Sequence, residues 1–147
     1  MSKVTAYYHI VFCTKAREMT IPRTNREDLY RFIWKVIKEN NCELIRVGGI
    51  QNHIHIFLNL HPTVALATLM QKIKGTSSVW MQSDNRFPSF RGWAKDYFAC
   101  TLAPDGKADL IEYIKNQETH HLGHPVKDEF AGMYRYADLD FDERDMN

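Results

Sequence analysis

The sequence predicts an α+β fold, a ferredoxin-like or RRM-like sandwich with one four-stranded antiparallel sheet backed by helices, plus a C-terminal tyrosine-bearing helix. Three observations carry this expectation. Strand-like and helix-like runs alternate in the order strand, helix, strand, strand, helix, strand, helix. The two middle strands follow each other closely enough to form a hairpin. At 147 residues, 44% of them hydrophobic and 12% aromatic, the chain can bury one substantial core.

Residues 4–14 are rich in β-branched and aromatic side chains and end at the basic stretch Lys15-Ala16-Arg17, as a strand entering a loop does. A helix follows. Thr24 or Asn25 can cap it, Glu27 and Asp28 sit in its first turn, and Leu29, Phe32, Ile33, Val36 and Ile37 recur at spacings of three and four. It should stop near Asn40-Asn41. Residues 42–50 and 52–60 are the hairpin strands, joined near Gly48-Gly49-Ile50-Gln51-Asn52. After His61-Pro62-Thr63 a second helix is expected, because Leu66, Leu69, Met70, Ile73 and the Val79-Trp80 pair keep helical spacing, with Gly75 a candidate break. Residues 85–93 read as loop and 95–102 as the fourth strand. Pro104-Asp105-Gly106 marks a turn, and residues 109–121 read as a third helix with Leu110, Ile111 and Ile114 on its apolar side. Beyond Gly123-His124-Pro125 the chain is acidic and weakly periodic, with a short helix at 126–134 and a loose end. Residues 1–123 are therefore expected to form the functional domain and 124–147 an acidic tail that is not a separate domain.

The net charge of +1 conceals an asymmetry. Residues 1–100 carry 14 Lys or Arg against 7 Asp or Glu, a balance of +7, and residues 101–147 carry 5 against 11, a balance of −6. A basic body with an acidic end keeps phosphate affinity while limiting indiscriminate binding, although a merely solvated surface has the same signature. Cys13, Cys42 and Cys100 are isolated, odd in number and set in apolar runs, which suits reduced core thiols rather than a disulfide or zinc framework. No run approaches the roughly eighteen apolar residues of a membrane span, and no signal-peptide core follows Met1, so a cytoplasmic protein without membrane contact is expected.

The chemistry-bearing pattern is His53-Ile54-His55. On a strand these two imidazoles point to one face while Ile54, Ile56 and Leu58 point to the other, which makes a two-point metal clamp. The clamp needs a further donor, and Gln117, one helical turn beyond Tyr113, offers a carboxamide oxygen. A divalent cation there would polarise a phosphodiester, and the Tyr113 oxygen could attack phosphorus to form a phosphotyrosine. Each residue also has a plainer role: exposed strand histidines, a packing tyrosine, a surface glutamine. His120, His121 and His124 could be metal ligands or simply cations at a helix C-terminus. His61-Pro62-Thr63 has no second copy to complete a two-histidine phosphoesterase. Lys72 and Lys74, with Ser77, Ser78, Trp80, Arg86 and Arg91, suit single-strand backbone contacts and stacking, and Lys15, Arg17 and Arg23 form a second candidate phosphate-contacting group.

Taken together, His53-Ile54-His55, Ile73-Lys74-Gly75-Thr76-Ser77-Ser78-Val79-Trp80 and Tyr113-Ile114-Lys115-Asn116-Gln117-Glu118-Thr119-His120-His121 resemble the single-tyrosine HUH transposases of insertion-sequence-200-like elements, including REP-associated tyrosine transposases. The resemblance runs from about Tyr7 to His121, and Phe141-Asp142-Glu143-Arg144 is also similar to family tails. It implies a homodimer that binds hairpins in single-stranded DNA and cuts and rejoins that DNA through a 5′-phosphotyrosine, with Mg2+ or Mn2+ as cofactor. By residue-wise transfer His53, His55 and Gln117 are the metal ligands and Tyr113 the nucleophile, with the tyrosine helix able to complete the partner's site in trans. The alternatives are a domesticated nuclease with the same chemistry acting on repeat palindromes, and a non-catalytic single-strand-binding module in which Tyr7, Tyr8, Phe12 and Phe57 stack on bases.

Overall fold

A computed structural model describes residues 1–147, in the order β1 (Tyr7–Thr14), α1 (Arg26–Glu39), β2 (Glu43–Ile50), β3 (His53–Asn59), α2 (Leu66–Gln82), β4 (Trp93–Thr101), α3 (Lys107–Lys115), α4 (Gln117–His120) and α5 (Val126–Tyr136). The strands pair in the order β2-β3-β1-β4, every pairing antiparallel, which is the expected α+β sandwich. No helix is long and apolar enough to cross a membrane.

Alternation along β1 and β3 divides the buried residues between two faces. Ile10, Phe12, Ile54, Ile56 and Leu58 meet Leu29, Ile33 and Ile37 of α1 and Leu69, Met70 and Ile73 of α2 in the main core. The opposite face presents Val11 and Cys13 with Ala94 and Phe98, and it is covered by Phe130 and Tyr134 of α5 and by Met146. Phe12 and Phe57 are fully buried, so neither can serve as a stacking platform for a base.

Four local expectations are corrected. The third helix is interrupted at Asn116 (φ −99°, ψ 20°), so Gln117 opens α4 rather than extending α3. Helix α2 continues through Gly75, which faces open space and costs only about 1 kcal/mol of helix propensity. Asn25 makes no side-chain cap bond to α1, and its amide donates to the Arg86 carbonyl at 2.9 Å. The chain end is not loose. Val126, Phe130, Met133 and Tyr134 share one face of α5, and Phe130 and Met146 are fully buried.

Two glycines set how closely elements approach. A Cβ at Gly48 would lie 2.7 Å from the Ile114 carbonyl oxygen, so α3 sits directly on the backbone of β2. A Cβ at Gly49 would lie 2.1 Å from the His53 carbonyl oxygen, inside the β2–β3 hairpin. Both obstacles are backbone and cannot swing aside. Gly49→Ala is expected to destabilise the protein by about 1–3 kcal/mol, read by urea denaturation; an unchanged midpoint would contradict this packing.

Candidate metal and nucleophile site

Strand β3 is the centre of the sheet, paired with β1 through Cys13–His53 and Val11–His55 and with β2 through Ile50–His53 and Gly48–His55. Its alternation sends both imidazoles to the face covered by α3, α4 and α5, where each is 0% exposed. Both rings have a fixed far side. His53 Nδ1–H donates to Asn52 Oδ1 at 2.8 Å, an oxygen oriented by the Asn52 amide donating to the Arg17 carbonyl at 3.3 Å. His55 Nδ1 and His9 Nε2 share a hydrogen bond of 2.9 Å, and the two rings stack. The Asn52 contact selects the His53 tautomer whose Nε2 lone pair faces inward, and the His55 ring takes the same tautomer when its Nδ1–H donates to His9.

Those lone pairs face Glu129, a buried carboxylate from α5. Glu129 Oε1 lies 3.1 Å from His53 Nε2 and 2.9 Å from His121 Nε2, and Oε2 lies 3.5 Å from His55 Nε2. Gln117 Nε2 donates to Glu129 Oε2 at 2.8 Å, which turns Gln117 Oε1 to within 3.1 Å of His53 Nε2. His53 Nε2 therefore confronts two acceptor oxygens, and His55 Nε2 is buried with no hydrogen-bond partner. Acceptors converging without a donor fit a divalent cation, and His53, His55 and Glu129 offer ligand atoms within 4.8 Å of one another.

Tyr113, on α3, belongs to the same constellation. Its ring lies 5.5 Å from that of His55, and its hydroxyl donates to Glu129. Burial, followed by the Glu129 charge and hydrogen bond, raises the phenol above its ordinary range. Burial would also raise the Glu129 carboxyl, but the adjoining His53 and His55 imidazoles outweigh it and keep the group ionised, below the usual carboxylate range. Burial lowers His9 to about 3, helped by His55, and lowers His55 to about 4 against the opposing pull of Glu129. His9 and His55 are thus held neutral beside one anion.

A cavity of about 600 Å³ opens beside the phenol, lined by His9, Phe98, Tyr113, His120 and Glu129 among others. Gln117 reaches a second cavity of about 590 Å³ that carries Arg23, Arg26, Arg46 and Lys115, and Arg26 Nε and Nη2 are buried there without partners.

The expected residues divide by position. His53, His55, Tyr113 and Gln117 meet, and Tyr113 does so within its own chain. Lys72 and Lys74 lie on α2, across the sheet from the histidines; Lys72 bonds Asn40 Oδ1 at 2.9 Å and Lys74 the Lys95 carbonyl at 2.8 Å. Lys15 and Arg17 follow β1 directly, and Arg17 ties down the chain end through the Glu143 carbonyl at 3.0 Å and Asn147 Oδ1 at 2.8 Å. His61 is half-buried, and its ring bonds Thr63. Sequence reasoning missed Glu129 and His9, and it left His121 between a metal ligand and a helix-end cation. The available signal was Glu129 itself, an acid lying on the otherwise apolar Val126-Phe130-Met133 face of a helix.

Comparison with known proteins follows the same residues. The chain is 26% identical over 132 residues to the transposases for insertion sequence element IS200 of Salmonella typhimurium and Salmonella typhi, covering 85% of this chain and 86% of each relative. It is 22% identical over 115 residues to the ISDra2 transposase TnpA of Deinococcus radiodurans, covering 75% and 82%. Among solved structures, a protein of Deinococcus radiodurans R1 assigned as a transposase superposes with a TM-score of 0.61 at 21% identity, covering 80% of this chain and 95% of that one. A REP-associated tyrosine transposase bound to a REP hairpin superposes with a TM-score of 0.63 at 14% identity, covering 82% and 74%. Because the family model for IS200-like transposases matches residues 2–117, which include the histidine pair, the tyrosine and the glutamine, this chain belongs to the IS200-like transposase family.

Proposed function

We propose that this transposase cuts and rejoins hairpin-containing single-stranded DNA, for DNA transposition, by attack of the Tyr113 oxygen on a phosphodiester. The single observation that carries the reading is that the Tyr113 hydroxyl and the Nε2 atoms of His53 and His55 converge on one buried carboxylate, Glu129. The new bond joins the phenolic oxygen to phosphorus, and the bond to the 3′ oxygen breaks. DNA is left with a 3′ hydroxyl and a 5′-phosphotyrosine, which the reverse step rejoins. His53, His55, Gln117 and Glu129 would hold Mg2+ or Mn2+, which supplies charge neutralisation at the phosphate oxygens.

The chain's own groups have distinct parts. Asn52 and His9 orient the two imidazoles. Glu129 accepts the phenol proton's hydrogen bond, and the cavity beside Tyr113 gives a strand access to the hydroxyl. Because Tyr113 lies against the histidines of its own chain, the proposal places cleavage in cis within each protomer of a homodimer. The fold relative bound to a REP hairpin supports hairpin DNA as the substrate class, and it keeps a repeat-palindrome target as a second reading with the same chemistry.

The test is to incubate the protein with labelled single-stranded hairpin DNA and Mn2+ and to resolve the products on a denaturing gel. A covalent protein–DNA band is expected, and a chelator should reduce it to background. A protein that binds the hairpin equally with and without chelator, and never forms the band, would be a binding module instead.

A further inference from the structure

We infer that α4 and α5 form a second cation site, built from His120, His121 and Glu129, with Glu129 bridging to the His53–His55 site. The three residues place one ligand atom each within 4.8 Å of one another. The motif had two readings in the sequence, and the structure separates them by its hydrogen bonds. The His121 Nδ1–H donates to the His124 carbonyl at 2.7 Å, so the neutral ring has its lone pair on Nε2. That lone pair points at Glu129 Oε1 from 2.9 Å, with the His121 side chain only 7% and the carboxylate 1% exposed. Two acceptors at this separation repel unless a cation lies between them, either a proton on Nε2 or a metal ion.

The surroundings favour a metal ion. His120 brings a third donor to the same carboxylate, its ring 5.0 Å from that of His121. His124 stacks on His120 at 4.5 Å and donates its own Nδ1–H to the His120 carbonyl at 2.9 Å, which fixes the turn that holds the imidazoles together. A proton needs only His121; the third ligand and the braced turn are what a metal requires. Glu129 Oε1 already contacts both His53 Nε2 and His121 Nε2, as a carboxylate shared between neighbouring cations does. Two imidazoles and one carboxylate suit a transition-metal ion of the zinc, cobalt or manganese class. The proposal depends on the functional reading only in taking His53 and His55 as the other cation's ligands.

Equilibrium dialysis of the untagged, metal-free full chain against Co2+, read by metal content and visible absorption, tests this without any DNA cleavage. Two Co2+ per chain are expected, falling to one in a His120→Asn, His121→Asn double variant and also to one in a His53→Asn, His55→Asn double variant. Wild type holding one ion, or two ions persisting in the His120/His121 variant, would overturn the second site. A protonated His121 paired with Glu129 gives that first result. Since His121 is packed and its variant can unfold, the wild type is also read directly with two equivalents of Mn2+ by electron paramagnetic resonance. Two ions sharing a carboxylate broaden the six-line signal, and an unbroadened spectrum counts against the bridge. Absence of the DNA adduct with two Co2+ bound would overturn the functional reading and leave this one standing.

Discussion

A Tyr113→Phe chain is expected to fold, to bind hairpin DNA within about twofold of wild type, and to lose the covalent adduct by at least about 10³-fold. The substitution removes one oxygen and little else. The ring keeps its edge contacts with His55 at 5.5 Å and His9 at 6.2 Å, so packing is retained. The lost hydrogen bond to Glu129 costs about 1 kcal/mol, and the carboxylate keeps its contacts with Gln117 and the three histidines. A structural tyrosine would show the opposite signature, with a lower melting temperature and the adduct intact. Adduct formation at the wild-type level would therefore remove Tyr113 from the mechanism.

The second large effect is on stability. The metal-free protein should lose on the order of 4 kcal/mol of unfolding free energy between about pH 7 and pH 4. His9 and His55 are held neutral, with folded values near 3 and 4 against an ordinary 6.5, burial being the largest cause for both. Above about pH 6.5 neither state binds these protons, and stability is unaffected. As pH falls below 6.5 the unfolded chain takes up protons that the folded chain refuses, so unfolding becomes easier until the folded values are reached. The two contributions fall short of their sum, because the two rings share one hydrogen bond and His9 keeps an exposed edge. Urea titrations of the chelated protein at several pH values measure this, and His9→Gln should flatten the slope. An unfolding free energy that is level from pH 7 to pH 4 would show that the imidazoles are not buried as neutral groups.

Much of this arrangement could be read from residue spacing, and the parts that could not have physical reasons. The period-two run around His53 and His55 placed both rings on one face, and the spacing of Leu29, Ile33, Val36 and Ile37 placed α1. The meeting of Tyr113 with the histidines is non-local, and spacing alone could only suggest it; the family resemblance linked them. Glu129 was hidden because an acid in an acid-rich segment looks solvated, and only docking of α5 onto Val11 and Phe98 turns it inward. The break at Asn116 was hidden as well, since Gln117 keeps its reach to His53 from a new helix. Composition singled out Lys72 and Lys74 as well, but it could not show that they lie on the layer opposite the histidines.

The bare backbone at Gly48 works as a spacer of zero thickness between the sheet and the helix that carries the phenol. With the Ile114 carbonyl resting 2.7 Å from where a Cβ would stand, any side chain at this position would lift α3 bodily while leaving every reactive atom unaltered. The distance between Tyr113 and the histidine pair is thus calibrated by the absence of a methyl group in β2, a mechanical setting made by the backbone alone.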